Sequence, residues 1–337
     1  MKCYITDGSG IQNLSLANRP EPTEPPPGEV LVEVHAVSLN YRDLMVANGK
    51  YGKKDPIIAG SDMAGVVTKV GQNVTEFKAG DRVLNAPFRC WPAGTLREEW
   101  AKTFIGGNGV DGVLAEKITY PAASLVKIPS HLSFKQAATF PIAALTAWSA
   151  VVTHGRVRAG DWVLVHGTGG VSLFALQIAK MHGGRIILST SSQEKAAIVG
   201  EKYQVQETFD YNRENWPELI QEITAGHGAD IIVEVVGGAS LAKSIQAAAY
   251  GGRVALIGVL GGTDSAINVR HMLARQVTVR GIFMESTQEL RSLVRSWESA
   301  GLYPHIDRSF PFEQAQQAYQ YLQSQKHIGK VVIELKS

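Results

Sequence analysis

Hydrophobic and polar positions follow two different rhythms along this chain. In the first portion they alternate: Glu29-Val-Leu-Val-Glu-Val-His-Ala-Val, then Gly65-Val-Val-Thr-Lys-Val-Gly71, then Asp81-Arg-Val-Leu. A period of two puts every second side chain in a core, which predicts half-buried strands in an antiparallel, barrel-like arrangement. Pro20-Glu-Pro22 and Pro25-Pro-Pro27-Gly28 predict a bend of polyproline type ahead of the first of these strands. No period survives over residues 89–112, where Trp91-Pro-Ala-Gly and Gly106-Gly-Asn-Gly109 predict a long irregular surface excursion. Helices are expected from Ser133 and over residues 143–152, with a domain boundary between positions 140 and 150.

Beyond that boundary, short apolar runs alternate with helical patterns. Asp161-Trp-Val-Leu-Val-His166 leads into Gly167-Thr168-Gly169-Gly170-Val171-Ser172 and then an amphipathic stretch to Lys180. Gly184-Arg-Ile-Ile-Leu-Ser189, Asp230-Ile-Ile-Val-Glu-Val-Val-Gly237 and Gly252-Arg-Val-Ala-Leu-Ile-Gly258 repeat the strand signal, with a helix expected over residues 239–250. Continuous apolar strands separated by helices predict a doubly wound parallel sheet, whose ligands sit at the C-terminal strand ends. Gly167, Gly237 and Gly258 stand at those ends, where backbone must pass close to a dinucleotide. The Gly167 turn has the form that presents a pyrophosphate to a helix N-terminus, with Ser172 in place of a third glycine.

After the second strand of that sheet an acidic residue would take the ribose 2′-hydroxyl of NAD. Ser191, Ser192 and Lys195 occupy the loop instead, and Tyr211 follows the next short strand. Hydroxyls and a lysine suit a 2′-phosphate, so the expected cofactor is NADPH. Ser191 and Ser192 also suit capping of a helix starting near Gln193, and the two roles are compatible.

Val37-Ser-Leu-Asn40-Tyr-Arg-Asp43, Ala59-Gly60-Ser61-Asp62-Met-Ala-Gly65, Gly80-Asp81-Arg-Val, Ala144-Leu-Thr146-Ala-Trp148 and the Gly167 turn occur in the order found in medium-chain dehydrogenase/reductases. The chain resembles a zinc-independent member close to the quinone oxidoreductases. The resemblance implies an α/β protein with a Rossmann doubly wound sheet, residues 143–284, and a GroES-like β-barrel catalytic domain, residues 1–142 completed by 285–337. It also implies cofactor contacts from Asn40, Thr146, Gly167, Thr168, Gly169, Gly170, Val171, Val236, Gly237, Gly258, Val259 and Phe283, besides the ribose loop. Relatives dimerise through the late strand around residues 277–283, so a homodimer is expected.

The departures from the family pattern set the chemistry. Where zinc alcohol dehydrogenases carry a Cys, a His-Glu pair and a further Cys or Asp, this chain has Asn40, then Ser61 and Asp62, then apolar residues near Ile142. Two cysteines, Cys3 and Cys90, cannot form the four-cysteine structural lobe, and nine histidines show no paired metal spacing. No metal is expected. Without zinc a carbonyl oxygen must be polarised by hydrogen bonds, which favours quinones and α,β-unsaturated carbonyls as hydride acceptors. Tyr51 matches the proton-donor tyrosine of related enoyl thioester reductases, and Asn40 could orient the substrate or the nicotinamide ribose. Loop packing for Tyr51 and a strand-end hydrogen bond for Asn40 are the competing roles. His166 reads as a strand-end packing residue rather than a base.

Length, composition and charge agree with this reading. A chain of 337 residues, 45% of them hydrophobic, supports two cores, and a net charge of +2 gives no electrostatic case for nucleic acid or membrane. The start, Met1-Lys-Cys-Tyr-Ile, lacks a signal-peptide core, and no 18-residue apolar segment appears, so a cytoplasmic protein is expected. An alcohol dehydrogenase-like carbonyl reductase and a non-catalytic NADPH-binding regulatory protein are the alternative functions.

Overall fold

The computed structural model describes residues 1–51 and 55–336. The chain divides into two compact units, Met1–Leu145 with Glu285–Ser337, and Thr146–Met284.

The first unit contains β1 (Lys2–Thr6), β2 (Ser15–Asn18), β3 (Glu29–Leu39), β4 (Ile57–Ile58), β5 (Asp62–Val70), β6 (Arg82–Asn85), β7 (Lys117–Pro121) and β8 (Leu125–Lys127). Its C-terminal strands are β15 (Ile306–Pro311) and β16 (Lys330–Glu334). One sheet runs β15-β16-β3-β5-β6-β8, with β7 also paired to β3, and a smaller one runs β2-β1-β4. All pairings are antiparallel except β15 with β16. β3 is the hub: Val30, Val32, Val34 and Val37 are buried, and its long run pairs with β5, β7 and β16. Val331 opposite Leu39 brings the C-terminal strand against the end of β3.

Residues 89–112 form the irregular, largely exposed excursion their composition predicts, but a few buried side chains pin it and one short helix breaks it. Trp91, Phe104 and Ile105 are buried, Phe88 bridges to Phe104 with stacked rings 4.8 Å apart, and a short helix spans Glu98–Ala101. Aromatic burial anchors the excursion near its two ends, which its glycine and proline content does not report. The short helix starting at Phe134 is capped by Ser133, whose side chain accepts the Gln136 N–H. The helix expected over 143–152 begins earlier, at Phe140, and reaches Thr153 through wide turns such as His154 N–H to Ser149 O.

The second unit is a six-stranded, wholly parallel sheet. Its strands are β9 (Trp162–His166), β10 (Arg185–Ser189), β11 (Glu207–Phe209), β12 (Ala229–Glu234), β13 (Ala248–Leu256) and β14 (Thr278–Gly281). Their order is β11-β10-β9-β12-β13-β14, so β14 is an edge. Val163, Leu164, Val165, Ile186, Ile187, Ile231, Ile232 and Val233 are fully buried, which is why these segments show no alternation. The expected 239–250 helix stops at Ala247, because Ala248 pairs with Ala229 and begins β13. Strand pairing there overrides the good helix propensity of the alanines. Among the described residues no helix is long and apolar enough to cross a membrane.

Candidate active site

In the parallel-sheet unit, β9 ends at His166 and the chain turns through Gly167, at φ 76°, into helix α2, which spans Gly170–Met181. Gly169 caps that helix in extended geometry without a side-chain bond, and a Cβ there would meet nothing within 4 Å. No acidic side chain stands in the first turn. An uncapped helix start with open space before it fits a pyrophosphate, which the free N–H groups and helix dipole favour. Ser172, in place of the third glycine, donates from Oγ to His166 O at 2.7 Å and ties the helix to the strand end. Thr168 and Thr146 are both buried.

The neighbouring loop is arranged around hydroxyls. Gly167 N–H donates to Ser189 O at 2.7 Å, joining the turn to the end of β10. Ser192 caps helix α3 (Gln193–Tyr203), its Oγ accepting the Lys195 N–H at 3.2 Å. Ser191 does not cap; it accepts a hydrogen bond from the Tyr211 hydroxyl at 2.9 Å. The structure thus brings together Ser191 and Tyr211, and places Ser192 and Lys195 on one helix start.

Gly237 and Gly258 have reasons within the chain itself. A Cβ on Gly258 would lie 2.0 Å from Val235 O, and one on Gly237 2.6 Å from Gly258 O. The loops after β12 and β13 pack on each other there, joined by Gly261 N–H to Val236 O at 2.7 Å. Val259 and Phe283 are exposed.

The barrel unit assembles the other group of candidates. Asn40 closes β3 and opens helix α1 (Tyr41–Ala47). Its N–H is held by Asp43 Oδ2 at 2.8 Å, so the short helix is fixed at its N-terminus. The Asn40 amide is used at both ends: Nδ2 donates to Asp62 Oδ2 at 2.9 Å, and Oδ1 accepts from Lys330 Nζ at 2.6 Å. Lys330 also donates to Leu39 O at 2.7 Å and lies 3.9 Å from Asp62. Lys330 and Asp62 are almost wholly buried, and Asp62 Oδ1 has no partner among the described residues. Burial pushes the Asp62 carboxyl up to about 7 against the pull of Lys330, and lowers the lysine below its ordinary value.

Tyr51 joins this group through a chain of contacts. The Arg42 guanidinium lies 5.5 Å from the Tyr51 ring centre and 4.0 Å from that of Phe104. Arg42 donates to Ser61 Oγ and to the carbonyls of Ile105 and Gly106, and lies 3.5 Å from Asp43. Ser61 in turn donates to Asp43 Oδ1 at 2.9 Å. Burial raises the Tyr51 phenol, with Arg42 opposing, so the hydroxyl keeps its proton through neutral pH. Trp91 is a packing residue: its Nε1 donates to Gly94 O and its ring meets Phe88 edge-on.

Family models match the chain in two places: the alcohol dehydrogenase GroES-like domain over residues 26–130 and the zinc-binding dehydrogenase domain over 170–299. A zinc-type alcohol dehydrogenase-like protein of Schizosaccharomyces pombe is 37% identical over 336 residues, covering 97% of this chain and 96% of the relative. The chain belongs to the medium-chain dehydrogenase/reductase superfamily. Human quinone oxidoreductase is 31% identical, with 91% of this chain and 89% of that protein covered. A solved Sinorhizobium meliloti structure provisionally described as an alcohol dehydrogenase superposes with a TM-score of 0.90 at 36% identity, over 99% of this chain and all of the other. A mycobacterial structure in complex with NADPH matches with a TM-score of 0.82 at 26% identity, covering 99% of both chains. The superfamily places a nicotinamide-nucleotide oxidoreductase fold on this chain.

Sequence reasoning missed Lys330, Glu234 and Ser244. Each charged member of that set stands at one end of an apolar strand, and this was the available signal: a buried charge requires a partner.

Proposed function

We propose that this chain is a zinc-independent, NADPH-dependent oxidoreductase acting on quinones or α,β-unsaturated carbonyls. The observation that carries the reading is the make-up of the buried polar group around Asn40. At the places where zinc relatives carry Cys and His, it holds an amide, a carboxylate and a hydroxyl, with a lysine ammonium bonded to the amide. Among the described residues no group of three His, Cys, Asp or Glu could hold a metal. A nicotinamide nucleotide, when bound, supplies the hydride.

The chain's own residues then divide the remaining work. Gly167, Gly169 and the first turn of α2 take the pyrophosphate, and Ser191, Ser192, Lys195 and Tyr211 take the 2′-phosphate. The loop's hydroxyls, and the absence of a carboxylate over residues 190–193 ahead of Glu194, support NADPH over NADH. Tyr51 keeps its proton and donates it to the oxygen or carbon that becomes negative after hydride addition. Asn40, clamped by Lys330 and Asp62, orients its remaining Nδ2 proton.

The test is oxidation of NADPH and of NADH against a quinone, an enone and a saturated aldehyde. Turnover with the first two, faster with NADPH, is expected. Turnover of the saturated aldehyde alone would favour the alcohol dehydrogenase-like reading, and binding without turnover of any substrate a regulatory one. The same reading includes a homodimer paired through β14, since an uncovered edge strand invites a partner strand. A single-chain mass by light scattering at micromolar concentration would overturn that part.

A further inference from the structure

Beneath the cofactor turn lies a buried polar hub. The His166 ring is wholly enclosed: Nδ1 lies 2.6 Å from Ser189 Oγ, Nε2 lies 3.3 Å from Ser244 Oγ, and the Trp216 ring packs edge-on at 5.3 Å. Ser244, on helix α4 (Ala239–Ala247), donates to Glu234 Oε2. That carboxylate, fully buried at the end of β12, also accepts from Ser240 Oγ at 2.9 Å. Its other oxygen, Oε1, accepts the N–H groups of Val236 at 2.8 Å and Gly237 at 3.0 Å.

The proton positions follow from donor and acceptor capacity. Glu234 can only accept, so the Ser244 hydrogen points to it and Ser244 Oγ receives the His166 Nε2–H. Nδ1 is then the unprotonated nitrogen and accepts from Ser189. Burial favours this neutral ring and lowers the histidine below its ordinary value, against the pull of Glu234. One neutral imidazole therefore links the ends of β9, β10 and β12, the three strand ends from which the proposed cofactor loops depart.

We propose that His166, acting through Ser244 and Glu234, is a positioning residue that sets affinity for the nicotinamide nucleotide. It holds the Gly167 turn, the Ser189 end of the ribose loop and the Val236–Gly237 amides in one arrangement before the ligand arrives. Buried polar networks do this only when every member is satisfied, as here. The inference rests on the cofactor assignment proposed above, and differs from the ribose-loop selectivity in one respect. The hub touches no group that distinguishes NADP from NAD, so its loss weakens both.

The experiment uses Ser244→Ala and Ser244→Thr, which perturb the hub less than replacement of the ring. Ser244→Ala removes the relay between His166 and Glu234, and affinity should fall about 3- to 10-fold for NADPH and by the same factor for NADH. The loss should sit in KM for the cofactor rather than in kcat, and Ser244→Thr, which keeps the hydroxyl, should restore it. Amide exchange at Val236 and Gly237 should quicken in the alanine variant without any cofactor present. Unchanged exchange at those amides, loss confined to NADPH, or failure of the threonine to rescue would overturn the inference. Binding of neither nucleotide by the unmodified protein would instead overturn the cofactor assignment, while quickened exchange would still report the hub.

Discussion

Replacing Lys330 by methionine tests the electrostatics of the barrel unit most directly. The side chains are similar in length, so the change removes a charge and two hydrogen bonds with little change of volume. Lys330 Nζ bonds Leu39 O at 2.7 Å and Asn40 Oδ1 at 2.6 Å, and is the cation nearest the buried Asp62 carboxylate at 3.9 Å. Removing one partner of a buried ion pair costs about 3–5 kcal/mol, because the other charge is left unpaired. Asp62 has an escape: its carboxyl, already pushed up to about 7, rises further without the lysine and can take a proton. A carboxyl whose folded pKa exceeds the unfolded value of about 3.9 contributes stability that is fully present below the unfolded value and lost as pH rises through the folded one. The variant's deficit therefore grows with pH. Near pH 5.5 only the two ammonium hydrogen bonds are lost, about 1–3 kcal/mol. Near pH 8.5 the full cost of about 3–5 kcal/mol applies, or ~6–20 °C at ~2–4 °C per kcal/mol for a domain of roughly this size. Calorimetric melting of both proteins across that range is the assay. A deficit independent of pH, or larger in acid, would show that Asp62 and Lys330 do not share charge as the geometry requires.

Four further outcomes are expected. Tyr51→Phe should lower kcat, by up to ~10²-fold with an enone and less with a quinone, with NADPH binding within about twofold; equal, unmodified rates with both substrates would return Tyr51 to packing beside Arg42. The purified protein should turn over in the presence of chelator and carry far less than about one zinc per chain by elemental analysis; stoichiometric zinc with chelator-sensitive activity would refute zinc independence. Ser191→Asp should weaken NADPH about 10- to 100-fold and spare or improve NADH, because a carboxylate repels a 2′-phosphate and suits ribose hydroxyls. Lys195→Ala should act in the same direction but nearer the lower end, and a loss of both nucleotides alike in these two variants would place the loop outside the phosphate site.

The doubly wound sheet was legible because its central strands β9, β10 and β12 are buried on both faces and its glycines fall at strand ends. Asn40 was legible as a replaced position in an ordered set of motifs. The excursion over residues 89–112 was legible as irregular but its anchors were not, because composition reports turns well and burial poorly: Trp91, Phe104 and Ile105 are few in number but all inside. Ser172 looked like a weakened fingerprint. The third glycine of such turns serves close helix-to-strand packing, and the serine meets that need by another route, a hydroxyl bonded to His166 O.

The residues that escaped sequence reasoning share one physical reason. Lys330 meets Asn40 across 290 positions of chain, and Glu234 meets the ring of His166 only because β12 and β9 are adjacent parallel strands. No local period encodes either meeting. Yet both carry a signal that needs no alignment: Lys330-Val-Val-Ile and Ile231-Ile-Val-Glu234 place a charge at the end of a run that the pattern says is buried on both sides. A lone buried charge costs too much to persist, so each such residue implies an unseen partner of opposite charge or of donor character. In this chain those partners are Asp62 and Asn40 for the lysine, and Ser244, Ser240 and two backbone amides for the glutamate. Both sets gather around residues that the family pattern independently marks for chemistry. A charge at either end of a doubly buried strand therefore points to a buried polar hub there, while the residues that complete the hub are set by neighbours that only the strand order and helix packing bring near.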